Sequence, residues 1–273
     1  MSKRLLRILN RTLTGAVVLV LVAALAYAGY ALWDNWQIVQ SANNPLGDMA
    51  PDSAELKPEA TATAEPQTGE EPPEEEETEL FKLFKQLKAV NPAIGAWITI
   101  PNTHIDYAVV RGSSNIEYIS KDIYGNFAIV GSIFLDSRNK PDYSDTYNLL
   151  YGHNMSEHRM FADVNLFKEE EFFHENQKGY IYFPTGAHWL QSVSIILTDA
   201  SDSWVMNPQS WQGIAPDRLL EVAQEHAVFV SEEGMEALNA KLEAGEEPHF
   251  VALSTCSNEF TDARTILLML LDP

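Results

Sequence analysis

One cysteine, Cys256, ends the apolar run Phe250-Val251-Ala252-Leu253-Ser254-Thr255-Cys256, and the chain holds no second cysteine to pair with it. Two readings fit a solitary thiol: a small apolar side chain filling a core, or a nucleophile. Outside the cell an unpaired thiol is open to oxidation and mispairing, so its retention there points to use. A free thiol, with an ordinary pKa near 8.5, is only a few per cent ionised at neutral pH and needs a neighbouring base or cation to work. Of the seven histidines, His153 is the best placed, because it follows an apolar strand candidate, 147–151, and a glycine, Gly152, that lets the backbone turn at a sheet rim. His249 is nearest in sequence but an odd number of residues away along one strand, on the opposite face and about 20 Å off. His158, His174, His188 and His226 do not end a strand in this way. Arg264 opens the strand candidate that follows the polar loop 257–262, so a hairpin would return it beside the thiol, where a guanidinium can stabilise an oxyanion. Taken singly, His153 and Arg264 read equally well as solvated polar residues. The segment His153-Asn154-Met155-Ser156-Glu157-His158 fits neither HExxH nor HxxEH spacing, and neither a metal nor another cofactor is expected.

The elements that must hold these groups begin with an anchor. Lys3, Arg4, Arg7 and Arg11 precede an uncharged stretch, 12–33, long enough as a helix to cross a hydrocarbon layer of about 30 Å. Cations on that flank against Asp34 on the other place residues 1–11 in the cytoplasm and the rest outside the cell, with Trp33 and Trp36 at the outer interface. The competing reading is a cleaved signal peptide ending near Ala26-Tyr27-Ala28, which the length of the apolar stretch disfavours. Residues 34–79 turn to Pro, Glu, Ala and Thr and close on Glu74-Glu75-Glu76-Glu77, an acidic disordered tether spanning about 35 Å or more. The net charge of −21 would repel phosphates, which argues against a nucleic-acid partner.

The folded domain is expected over 80–273. It opens with an amphipathic helix at 80–89, where Leu80, Phe81, Leu83, Phe84 and Leu87 lie largely on one side opposite Lys82, Lys85 and Lys88. Strand candidates follow at 96–100, 107–110, 132–135, 147–151, 180–184, 192–198, 250–256 and 265–271, separated by turn residues. Many short strands with few helices imply a mainly-β barrel or sandwich. One helical insertion, 217–243, in two pieces, precedes the cysteine strand.

Tyr151-Gly152-His153-Asn154-Met155, Leu253-Ser254-Thr255-Cys256 and Asp262-Ala263-Arg264 together resemble the signature of sortases, specifically class B sortases. Residues 91–110, Gly131-Ser132-Ile133-Phe134-Leu135-Asp136 and Met160-Phe161-Ala162-Asp163 are similar to the same family, so the resemblance spans residue 80 to the C-terminus. It implies an eight-stranded β-barrel, a helix before the cysteine strand and a membrane-anchored thiol transpeptidase, a cysteine-protease-like hydrolase and acyltransferase of Gram-positive surfaces. Carried onto this chain, Cys256 attacks a threonine carbonyl in a C-terminal sorting signal of NPQT or related type, His153 exchanges the proton, and Arg264 holds the carbonyl oxygen. Ser254, Thr255, Tyr151 and Asn115 match positions of the substrate groove. The acceptor amine belongs to a peptidoglycan precursor or, in pilus-polymerising members, to a pilin lysine. Residues 201–211 depart from the family pattern and form a candidate groove wall; Asn207-Pro208-Gln209-Ser210 within it is read as an ordinary turn rather than a signal. A papain-like peptidase would carry its cysteine at a helix start ahead of the histidine, and an L,D-transpeptidase would keep both in one short motif. A non-catalytic wall-binding module is the alternative from another class.

Overall fold

In the computed structural model, residues 3–41, 44–52, 56 and 78–272 are described. Two units result, one ending at Ser41 and one running from Ala42 to the C-terminus. The first is a single helix, α1 (Lys3–Ser41), whose apolar stretch Asn10–Asp34 is 25 residues long. At 1.5 Å per residue this is about 37 Å, enough to cross a membrane.

The second unit begins earlier than its composition predicts. Asn44 Nδ2 donates to the Asp106 carbonyl at 2.5 Å, and Leu46 is buried in a cluster with Leu80, Phe84 and Trp97. The front of the expected tether, 34–79, is therefore part helix and part of the folded unit. Met49, Ala50 and Leu56 pack against the same cluster, but scattered apolar residues in a Pro- and Glu-rich stretch give no periodicity to read. Most of the remaining tether lies outside the described residues. Helix α2 (Glu79–Val90) starts at Thr78, whose side chain accepts from the Phe81 N–H, and buries Leu80, Phe84 and Leu87, while Leu83 is partly buried and Phe81, at the edge of the expected apolar side, is exposed.

Eleven strands follow among the described residues: β1 (Ile94–Thr99), β2 (Asp106–Val110), β3 (Ile133–Leu135), β4 (Tyr147–Tyr151), β5 (Asn154–Met155), β6 (Arg159–Met160), β7 (Lys178–Phe183), β8 (Gly186–Asp199), β9 (Ala227–Val230), β10 (Phe250–Cys256) and β11 (Ala263–Leu271). The main sheet runs β11-β10-β4-β3-β2-β1-β7-β8, and pairing of β11 with β8 closes these eight strands into a barrel, with β9 added on β8. The short pair β5–β6 stands apart from it. Two short elements between β6 and β7 went unpredicted, a 3-10 helix over Ala162–Lys168 and α3 (Glu170–Glu175).

The apolar runs of β10 and β11 are continuous because both faces are covered. Val251, Leu253, Leu267 and Met269 point into the barrel with Ile98, Val109 and Ile181. Phe250, Ala252, Ile266, Leu268 and Leu270 face outward, together with Tyr147 and Leu149 of β4. That outer face is roofed by Trp211 and by α4 (Pro216–Val222) and α5 (Glu232–Ala244). Gly234 of α5 lies so near the Ser192 backbone that a Cβ there would collide with it, which lets the helix seat directly on β8. The insertion differs from the expected pair of helices in one respect. Ala227–Val230 pairs with β8 as a strand, its Ala-Val-Phe-Val run being too short to break the helical reading of its flanks.

Candidate active site

Alternation along three adjacent strands puts the chemistry on one face. Tyr151 shares the outward phase of Tyr147 and Leu149, Ser254 and Cys256 that of Phe250 and Ala252, and Arg264 that of Ile266 and Leu268. The insertion roofs this face lower down, and at the barrel rim it opens into a groove of about 280 Å³. Asn115, Tyr151, His153, Ser254, Thr255, Cys256 and Arg264 all line it, and so do Ile119, Phe134, Ala200 and Met206.

Register fixes the central three residues. Cys256 and Arg264 are directly opposed in the antiparallel β10–β11 pair, where same-face Cβ atoms stand about 4.5–5.5 Å apart. Strands β10 and β4 run parallel with Ser254 opposite Tyr151, and His153 follows two residues beyond the end of β4, in the loop beside the last residues of β10. That alignment is pinned beyond the ladder itself. The Gly152 N–H donates to the Ser254 carbonyl at 3.1 Å, Thr255 Oγ1 donates to the Gly152 carbonyl at 3.0 Å, and Asn154 Nδ2 donates to the Cys256 carbonyl at 3.1 Å. Gly152 is required by close approach, with φ outside the left-handed region: a Cβ there would lie 2.5 Å from Ile133 and Phe161 side-chain atoms. Cys256 is exposed, which removes the reading of a buried filler. The His153 ring is held through Nε2, which donates to the Ile119 carbonyl at 2.9 Å, leaving Nδ1 as the acceptor in that tautomer.

Support from beneath comes from the 3-10 helix. Asn165 Nδ2 donates to the Cys256 carbonyl at 3.3 Å and its Oδ1 accepts from Thr265 at 2.9 Å. Lys168 holds the loop after the cysteine through Ser257 Oγ at 3.1 Å and through Glu259. Thr255 thus acts through the backbone of the histidine segment, its hydroxyl already occupied. Ser254 Oγ, by contrast, is buried and has no hydrogen-bond partner among the described residues.

A polar network that single-residue reading missed sets the groove wall. The Asp136 carboxylate is fully buried and accepts from Arg138 Nε at 2.9 Å and Nη2 at 2.6 Å, from Asn115 Nδ2 at 2.8 Å and from Tyr151 Oη at 2.9 Å. Arg138 reaches on to the Met206 carbonyl and Asn207 Oδ1, tying residues 201–211 to the barrel as a wall. Asn207-Pro208-Gln209-Ser210 sits there as a turn entering a 3-10 helix, Pro208–Trp211, with Pro208 buried. Burial pushes the Asp136 carboxyl up, but the bonds from Arg138, Asn115 and Tyr151 outweigh it and hold it below the usual carboxylate range. Burial and the Asp136 charge push the Tyr151 phenol up, so it stays a donor.

A depressed carboxylate stabilises the fold above its unfolded-state pKa and loses that contribution as pH falls through the folded value. Asp136→Asn is therefore expected to cost about 2–3 kcal/mol at neutral pH, less than a fully buried pair because Arg138 is part-exposed. It should also flatten the fall in stability below about pH 4. Urea melts of both proteins between acid and neutral pH check this.

Comparison with known proteins agrees with this architecture. No protein-family model matches the chain. A class B sortase of Streptococcus pyogenes involved in pilus biogenesis has a similar structure, with a TM-score of 0.60 and 34% identity over 69% of this chain and 97% of that one. Clostridium perfringens sortase B is similar at a TM-score of 0.59 and 27% identity, covering 69% and 98%. In sequence, Staphylococcus aureus sortase B is 23% identical over 180 residues, 66% of this chain and 69% of its own length. A closed eight-stranded barrel with a solitary thiol at a strand end is thus the fold of a sortase-type cysteine transpeptidase. Within that class, the chain belongs to the class B sortases.

Proposed function

We propose that Cys256 is the nucleophile, His153 the proton carrier and Arg264 the oxyanion donor of this transpeptidase. The observation that carries the reading is that Cys256 on β10, Arg264 directly opposite it on β11 and His153 in the loop after β4 line one groove. The Cys256 thiol passes its proton to His153, and the thiolate adds to the carbonyl carbon of the threonine in an exported protein's sorting signal. The C–N bond then breaks as His153 protonates the departing amine, leaving a thioester. An acceptor amine, deprotonated by His153, attacks the thioester, and the thiolate is released. The Arg264 guanidinium takes up the negative charge of the carbonyl oxygen in both tetrahedral states, a contribution of about 2.7–4 kcal/mol for one such donor. Without an acceptor, water completes the cycle as a hydrolase.

Ile119, Met206, Tyr151 and Asn115 would bound the signal peptide, of NPQT or related type, and the unpartnered Ser254 hydroxyl would bond to it. An orphaned buried hydroxyl costs about 1–3 kcal/mol until such a partner arrives. Anchoring to a peptidoglycan precursor is the first reading of the acceptor. A pilin lysine is the second, favoured by the likeness to the S. pyogenes enzyme involved in pilus biogenesis. The cationic flank of α1 supports a cytoplasmic N-terminus, with residues 1–11 inside, the apolar span in the membrane and the barrel outside. Incubating the chain with sorting-signal peptides and either a cross-bridge peptide or a pilin-lysine peptide tests the reading. A ligated product with one amine is expected; cleavage that never yields ligation with any amine would sink it.

A further inference from the structure

Outside the residues that line the groove, three residues from separate segments converge. His104 lies in the β1–β2 connection, His158 in the β5–β6 turn and Asp163 in the 3-10 helix Ala162–Lys168. His104 Nδ1 stands 2.8 Å from Asp163 Oδ2 and His158 Nδ1 2.6 Å from Oδ1. The carboxylate is only 1% exposed, whereas the imidazoles are 67% and 59% exposed. The two rings stack, 24° from parallel with centroids 5.6 Å apart, and the candidate ligand atoms of the three residues lie within 4.8 Å of one another. His158 is in the left-handed region, φ 58°, beside Glu157 at φ 59°, a backbone uncommon for glutamate and more readily taken by histidine.

We propose that His104, His158 and Asp163 bind one divalent cation of the zinc class. Two imidazole nitrogens and one carboxylate oxygen are a donor set that zinc favours over magnesium or calcium. Bonds of about 2.0–2.2 Å to each would place the donors about 3.4 Å apart in tetrahedral geometry. The imidazoles now contact different oxygens of the carboxylate, and gathering three donors that already lie within 4.8 Å of one another onto one ion needs only shifts that the exposed imidazoles can make. Each neutral imidazole keeps its proton by passing it from Nδ1 to Nε2 through solvent, so binding releases no proton from it. The remaining coordination positions face solvent and take water. The metal would clamp the β5–β6 hairpin, which follows His153, to the helix whose Asn165 and Lys168 hold Cys256 and Ser257. The helical spacing patterns tested on 153–158 could not find this set, since only His158 comes from that segment.

The test uses the full, tag-free chain in detergent micelles carrying Cys256→Ala, so that the thiol cannot bind metal. Isothermal titration with Zn²⁺ alone should give one saturable site with an affinity of about 10 μM or tighter, and Zn²⁺ should raise the melting temperature. His104→Gln and His158→Gln, each keeping a hydrogen-bond donor, should weaken that site about tenfold or more. They should also remove the visible band of bound Co²⁺ while leaving the metal-free melting temperature unchanged. Absence of a saturable site up to about 100 μM, or wild-type affinity in either variant, would overturn the proposal.

Discussion

Replacing Cys256 with Ala is expected to abolish acyl transfer to below detection while leaving the fold intact. The side chain is exposed at the end of β10, so truncation opens no cavity, and its effect on stability should stay within about 0.5 kcal/mol. The groups that hold this position, the pairing with β11 and the Asn154 and Asn165 side-chain amides on the Cys256 carbonyl, do not involve the thiol and survive the substitution. Loss of transfer with an unchanged melting temperature therefore isolates the thiol. A non-catalytic wall-binding module predicts the opposite, retention of function in the same variant.

Arg264→Lys should carry the second-largest effect, a fall of about 100- to 1000-fold in kcat/KM for peptide transfer. The lysine keeps the charge and the strand, opposite Cys256 and paired with Thr198 on the other side. It loses the planar fork of donors, and a flexible ammonium cannot hold a fixed direction toward the oxygen. The loss should fall mainly on kcat, because the oxyanion exists only in the tetrahedral states and not in the bound peptide. Steady-state kinetics with a quenched fluorescent peptide separate the two. Near-wild-type turnover would remove Arg264 from the oxyanion role.

The strand set was largely legible because turn residues bound each apolar run, and β4 and β10 match their expected limits, 147–151 and 250–256. Strand β8 extends past the expected 192–198 to Gly186–Asp199. Its first half, Gly-Ala-His-Trp, has no clear alternation and is ordered by pairing with β7. Cys256, His153 and Arg264, which line one groove, could be singled out in the sequence because each sits at or just beyond a strand end next to a recognisable loop. Ile119, Phe134 and Met206 could not, since an apolar groove residue has the same local pattern as a core one. The Asp136–Arg138 network and the His104–His158–Asp163 set are long-range meetings of side chains, and their members are ordinary polar residues until topology brings them together. Thr255 was legible as a neighbour of the site, but its orientation toward the Gly152 carbonyl follows from alternation and register that only the closed barrel supplies.

The most direct measurement is intact mass spectrometry of the full chain during turnover of a sorting-signal peptide in the absence of an amine acceptor. A covalent adduct with the mass of the acyl fragment ending in threonine, mapped to Cys256 and released by hydroxylamine, is predicted. Peptide cleavage with no acyl group on Cys256, or an undiminished rate in the Cys256→Ala chain, would contradict the account.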